Sequence, residues 1–227
     1  DIVSIHHGLM ETPANANRVL EVAKKAFQCA ELWGWRPPGT SPCAHIEAYP
    51  EKKRKRYMAP AEAGRLGRVI RAWWQRGGRS RDMARLVSLL VLTGARLTEI
   101  MHSKLEWVDH ARGVLMLPDS KTGEKELMLP AAALVIITEI ENDPDHESAW
   151  IIPGDATKRR RGGDRAEDIP MSYPYDMWSD MTTEAKITDL RIHDLRHSFA
   201  SIALDVTKNL PMVGELLGHA DAKTTAR

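Results

Sequence analysis

Two side chains three residues apart, His193 and Arg196 in Arg191-Ile192-His193-Asp194-Leu195-Arg196-His197, carry the chemistry most open to inference in this chain. Leu195, Phe199 and Ile202 recur at helical spacing, which predicts a helix whose apolar stripe leaves the polar residues on another face. A three-residue step puts an imidazole beside a guanidinium, a pairing suited to a phosphate. Alone, such a pair also fits a solvated, partly capped helix start. What gives it weight is an ordered set of further polar residues, each in its own local setting. These are Arg96 and Glu99 in Thr93-Gly94-Ala95-Arg96-Leu97-Thr98-Glu99, Lys121 in Ser120-Lys121-Thr122-Gly123, and His219 in Leu216-Leu217-Gly218-His219.

The elements that must position these residues are legible from periodicity. Ala16, Val19, Leu20, Ala23, Phe27, Ala30 and Leu32 predict one helix over residues 1 to about 35, with Asn15 or Asn17 capping its start. Pro37, Pro38 and Gly39 open a linker that ends in Lys52-Lys53-Arg54-Lys55-Arg56, suited to lie along a phosphate backbone. Helices follow from Pro60 to Gly77, through Met83 to Thr93, and from Arg96 through Met101. The period then changes. Trp107 to Asp109, Gly113 to Leu117 and Glu126 to Leu129 read as a small antiparallel sheet, with Lys121 in or just before the hairpin tip. Helices are expected again over Leu134 to Ile140, Ser172 to Lys186, the His193 segment and Leu210 to Leu217. The polar, basic stretch from Gly154 to Ile169 reads as a mobile loop. Trp73, Trp74, Trp107 and Trp178 are expected in the core, and His197 in packing or a surface hydrogen bond.

Composition narrows the class. At 227 residues the chain supports one good core, or one core and a small helical unit. No apolar run approaches the roughly 18 residues of a membrane span, which predicts a soluble chain with no membrane partner. Two cysteines, Cys29 and Cys43, make neither a disulfide framework nor a metal cluster, so a reducing cytoplasm is the expected setting. The formal net charge is only +1, but the cations are clustered. Beyond the linker run stand Arg65, Arg68, Arg71, Arg76, Arg79 and Arg81, and a second cluster is Lys158-Arg159-Arg160-Arg161 with Arg165. Local basic density of this kind suits a polyanion.

Taken in order, Arg96, Lys121, His193, Arg196 and His219 resemble the active-site set of the tyrosine recombinases, the phage-type integrases. The resemblance runs from about residue 14 to the end. It implies a mainly α fold with a small antiparallel β-sheet, a catalytic domain over 58–227 behind a basic linker (37–57) and the C-terminal part of a helical core-binding domain (1–36), together a clamp round the duplex. The implied activity is cleavage and rejoining of DNA strands through a 3′-phosphotyrosine. Arg96 and Arg196 would hold the non-bridging oxygens, Lys121 protonate the leaving 5′ oxygen, His193 assist proton transfer at the nucleophile, His219 donate to the phosphoryl transition state, and Glu99 orient an arginine. Lys52, Lys53, Arg54, Lys55 and Arg56 are expected on the DNA backbone. No metal or cofactor is implied, because side chains supply the cations.

The implied partners are double-stranded attachment sites, further protomers in a tetrameric synaptic complex, and accessory DNA-bending or excision factors. The family nucleophile is a Tyr in a Thr-Thr-x-x-Tyr setting, which places it one residue past Arg227. Tyr49, Tyr57, Tyr173 and Tyr175 all precede His193, and Tyr173 and Tyr175 are expected in core or interface roles. The 227 residues alone are therefore expected to bind DNA without forming the covalent link. Two other functions share the pattern: a DNA-binding regulator without the nucleophile, and a type IB topoisomerase-like relaxing activity.

Overall fold

In the computed structural model the described residues are 1–51, 54, 56–120, 123–155 and 168–217. Two compact units divide the chain, Asp1–Lys55 and Arg56–Arg227. The first holds helices α1 (Ile2–Gly8) and α2 (Pro13–Leu32). The single helix expected over 1–35 is thus broken. Pro13 lacks the N–H that a continuing helix needs and instead starts α2 in its first turn. Thr12 stands at the N-cap without a side-chain cap bond, so neither Asn15 nor Asn17 caps α2. Asn17 serves tertiary structure instead: its amide nitrogen donates to the Tyr49 carbonyl and to Glu51, and its oxygen accepts from the Tyr49 amide. Tyr49 in turn stacks on the buried His6 ring at 4.3 Å between centroids.

The second unit is mainly helical around a three-stranded antiparallel sheet, as the sequence predicts. Helix α3 (Pro60–Arg76) starts on Pro60 with Glu62 accepting from the Ala59 amide, and buries Leu66, Val69 and Trp73. Gly77 ends it, and α4 (Gly78–Thr93) crosses the centre of the unit with Met83, Leu86, Val87 and Leu89 fully buried. Gly94 closes α4 in the left-handed conformation, φ +63°, its amide donating to the Leu90 carbonyl. The short α5 (Leu97–Met101) follows at once.

Strands β1 (Val108–Asp109), β2 (Val114–Ser120) and β3 (Gly123–Met128) form the sheet in the order β1-β2-β3. Trp107, expected in the first strand, ends a single 3-10 turn over Leu105–Trp107. The β2–β3 register runs from Val114↔Met128 to Leu117↔Lys125, shifts, and resumes at Ser120↔Gly123, so both strands extend further toward their connection than the apolar runs suggested. Residues 121 and 122 lie outside the described residues.

Helix α6 (Ala131–Glu141) begins directly after Pro130 and drives Ala133, Ile137 and Ile140 into the core. Helix α7 (Tyr175–Glu184) starts later than predicted because Pro174 disfavours a helical conformation at Tyr173. Helices α8 (Asp194–Thr207) and α9 (Leu210–Leu216) complete the described fold. Trp73 and Trp178 are core residues, and Trp74 and Trp107 are partly buried and pack against the core cluster. Their indole N–H groups are matched where the surroundings demand it: Trp73 donates to Glu184 and Trp178 to the Leu190 carbonyl. Ile202 departs from its predicted stripe and is 59% exposed on α8. Among the described residues, no helix is long and apolar enough to cross a membrane.

Candidate active site

Arg96 stands at the N-cap of α5, one residue beyond the dipeptide that follows α4. Glu99, at the third position of α5, accepts twice from it: the Arg96 amide donates to Oε2 at 2.8 Å and Nη1 donates to Oε1 at 2.6 Å. The sharp Gly94 turn and this reciprocal bond fix where the Arg96 side chain leaves the backbone.

Arg196 lies in the first turn of α8 and is buried, with 7% of its surface exposed. Its Nη1 donates to the Gly94 carbonyl at 2.6 Å and its Nη2 to the Leu217 carbonyl at 3.0 Å. Burial, followed by repulsion from Arg96, holds its pKa down at about 10. It stays charged at neutral pH. The chain thus brings Arg196 to the Gly94 carbonyl, two residues before Arg96, although the two arginines are one hundred residues apart in sequence.

His193 is the N-cap residue of α8, and the Arg196 amide donates to its carbonyl. Desolvation by its surroundings, then repulsion from His197 and Arg196, keeps the imidazole below its ordinary pKa. A neutral ring at physiological pH is one that accepts a proton. His197 meets the His193 ring edge-on at 5.2 Å between centroids, so it shapes the histidine environment. Asp194 accepts from the Arg191 amide, and Ser198 donates to the Asp194 carbonyl while accepting from the Met58 amide, which ties α8 to the start of the unit.

One residue that the motifs did not flag belongs here. Lys125 on β3 is buried, and its Nζ donates to Glu99 Oε1 at 2.9 Å and to the Leu217 carbonyl at 3.1 Å. Burial lowers its pKa, with Glu99 opposing that shift. For Glu99, burial alone would raise the carboxyl, but hydrogen bonds from the Arg96 amide and Lys125 outweigh it and hold the pKa below its usual value. The signal for Lys125 was present in the alternation of β3: it shares the inward face with Leu127, where a lysine has no apolar reason to be.

Other predicted residues fare differently. Lys121 and His219 lie outside the described residues, as do Lys52, Lys53 and Lys55 and the basic cluster Lys158 to Arg161 with Arg165. Arg54 is exposed. Arg56, expected on a DNA backbone, is engaged internally: it forks onto Glu62 at 2.9 and 2.6 Å and donates to the Thr188 carbonyl. Its charge is matched within the fold. Tyr173 and Tyr175 stack at 5.0 Å and are 50% and 67% exposed, which removes the core role considered for them. They border a largely apolar cavity of about 490 Å³ that also touches Leu97, Trp178 and His193. Among the described residues no cluster of His, Cys, Asp and Glu could hold a metal ion.

Arg96, Arg196 and Lys125 thus set three cations against one carboxylate, Glu99, in a region closed on one side by backbone. Such a region suits an anion with several oxygens. The family model described as the phage integrase family matches residues 68–227. The chain belongs to that family. It is 26% identical over 143 residues to the tyrosine recombinase XerA of Pyrococcus furiosus, covering 62% of this chain and 47% of that protein. It is 30% identical over 158 residues to the tyrosine recombinase XerC of Pseudomonas fluorescens, covering 64% and 46%. The chain spans about half the length of the curated relatives it matches. Among solved structures, a lambda integrase dimer bound to a COC′ core site superposes with a TM-score of 0.73 at 18% identity, over 99% of this chain and 62% of that one. The XerA recombinase structure superposes with 0.60 at 17% identity, over 99% and 82%. At such identities the likeness establishes the fold: the mainly helical unit with its small antiparallel sheet is that of the tyrosine recombinases.

Proposed function

We propose that this member of the phage integrase family is part of a site-specific DNA recombinase that cleaves and rejoins strands through a 3′-phosphotyrosine. The placing of partly exposed Arg96 and buried Arg196 around Glu99, Lys125 and the Leu217 carbonyl carries the reading, because a phosphodiester passing through a pentacovalent arrangement needs its two non-bridging oxygens held by fixed charge. A tyrosine following Arg227 attacks phosphorus through its phenolic oxygen. The P–O bond to the 5′ carbon breaks, Lys121 gives its proton to that departing oxygen, and the phenolic proton passes to neutral His193. His219 donates to a non-bridging oxygen. Glu99 orients Arg96. Rejoining reverses each transfer, so no net oxidation and no cofactor is involved.

In this reading residues 58–227 form the catalytic domain, 37–57 the basic linker, and 1–36 the end of a core-binding domain. Attachment-site duplexes and further protomers, four in the synaptic complex, are its partners. Solved relatives described as a lambda integrase dimer on a core site and a lambda integrase tetramer on a Holliday junction support that assignment. Accessory bending or excision factors and a cytoplasmic setting follow from the same reading.

The test is the full reading frame expressed with a nicked duplex that carries its attachment site and traps the cleaved intermediate. A tyrosine codon directly after Arg227 and a protein–DNA adduct resistant to denaturant are expected. Another residue there, with binding but no adduct, would make the protein a DNA-binding regulator. Relaxation of supercoiled plasmid regardless of site would make it a topoisomerase.

A further inference from the structure

Following the hydrogen bonds outward from the two guanidiniums gives a closed circuit. Arg96 Nη1 donates to Glu99 Oε1, and Lys125 Nζ donates to the same oxygen. Lys125 Nζ also donates to the Leu217 carbonyl, which accepts Arg196 Nη2 as well. Arg196 Nη1 donates to the Gly94 carbonyl, two residues before Arg96. Each arginine therefore leans on an acceptor that a second cation shares, and in both cases that second cation is Lys125.

We propose that Lys125 is a positioning residue for strand cleavage: its ammonium joins the Glu99 carboxylate, which aims Arg96, to the Leu217 carbonyl, which seats Arg196. The proposal rests on the recombinase reading above and adds to it a residue outside the family set. Charge balance alone does not account for the lysine. Arg96 already bonds both oxygens of Glu99, so the carboxylate is matched before Lys125 arrives. A third cation in a pocket with one carboxylate is costly to bury, and it is kept at 6% side-chain exposure. The cost makes sense where the ammonium holds geometry for an incoming phosphate. A shared acceptor also makes the two arginines interdependent, since a shift of either Glu99 or Leu217 is felt through the same nitrogen.

The position of Lys125 adds a second consequence. It is paired across the sheet with Leu117, just before the register shift in β2, so the circuit anchors β3 at the last regular pair of that stretch. Through this one nitrogen β3 is joined to α5 at Glu99 and to Leu217, the residue after α9.

The experiment compares the wild type with Lys125→Met and Lys125→Gln in the full reading frame, using single-turnover cleavage of the nicked duplex at saturating protein. The arginine side-chain Nε–Hε NMR signals of the DNA-free proteins are recorded in parallel, assigned through Arg96→Lys and Arg196→Lys. Lys125→Met should slow cleavage about 10- to 100-fold with duplex affinity changed by less than about threefold, as expected when catalytic groups are displaced by a fraction of an ångström. The Arg96 and Arg196 signals should both move. Lys125→Gln keeps two N–H donors without the charge and should recover part of the rate. Cleavage by Lys125→Met at the wild-type rate overturns the proposal, and so does slow cleavage with both arginine signals unmoved. If the wild type forms no adduct the recombinase reading fails instead, and the signals still decide: movement of only one arginine, or of neither, refutes the bridge. Should Lys125→Met not fold, Lys125→Gln carries the same comparison, with unmoved signals and an unchanged rate counting against it.

Discussion

Gly94 is the point at which the fold and the arginine site constrain each other most tightly, and replacing it by alanine has a magnitude that follows from geometry. Its φ of +63° is left-handed, which costs an L-residue about 1–2 kcal/mol. A Cβ there would stand 2.4 Å from Phe199 Cδ1, 2.7 Å from Phe199 Cγ and 2.9 Å from Leu217 Cδ2. Phe199 belongs to α8 and Leu217 carries the carbonyl that Arg196 holds, so neither yields without moving the site. Forcing a methyl into a packed core adds about 1–3 kcal/mol. The sum for Gly94→Ala is roughly 2–5 kcal/mol, and at about 2–4 °C per kcal/mol for a chain of this size the Tm should fall by roughly 4–20 °C. Gly113→Ala is the control. It has a similar φ of +64°, but its Cβ would meet nothing nearer than the Leu129 carbonyl at 3.5 Å, so only the conformational cost applies. Thermal unfolding followed by circular dichroism gives both numbers. If Gly94→Ala is no less stable than Gly113→Ala, Phe199 and Leu217 do not press on that turn and the packing argument is wrong.

Asp143 holds the buried Arg85, and Arg81 beside it, so Asp143→Asn should destabilise the protein by about 3 kcal/mol in urea unfolding at pH 7, with a loss under 1 kcal/mol speaking against the pair. The Arg85 guanidinium keeps the Asp143 carboxyl at about 2, against an ordinary 3.8. A depressed carboxyl stabilises the fold above its unfolded value, so that contribution should be intact above about pH 4 and disappear as pH falls toward 2; acid titrations of Asp143→Asn should lack this step. Arg56→Met removes the fork onto Glu62 and the bond to Thr188, and is expected to cost about 1–3 kcal/mol, read by denaturant midpoint. Arg196→Lys keeps a charge but not a fork that reaches both the Gly94 and Leu217 carbonyls; covalent cleavage should drop at least about 100-fold while duplex binding stays salt-dependent, and retained cleavage would remove Arg196 from the site.

Much of this protein was readable without coordinates because the relevant signals are local. Apolar residues at helical spacing place α3, α4 and α6, Gly77 and Gly94 mark the ends of two of them, and the change to alternation marks the sheet. Arg96, Glu99, His193 and Arg196 stand out in the sequence because each sits in a short motif whose spacing is itself the signal. Local pattern misled where one residue carried two messages: the apolar stripe of the first helix concealed the break at Pro13, and Asn17 looks like a cap yet binds the Tyr49 backbone 32 residues away.

Charge pairing was beyond the sequence. Arg85 with Asp143 spans 58 residues, Lys125 with Glu99 spans 26, and Lys125 with the Leu217 carbonyl spans 92. Periodicity says which side of an element faces inward, since that depends only on the residue's own neighbours. Which opposite charge or carbonyl awaits it there depends on how separate elements pack, and a buried ion is tolerated only when that packing supplies the partner. So the ordered motif was set by the chain itself, while the role of Arg56 as an internal clamp and of Lys125 as the link between two arginine supports was decided by tertiary structure.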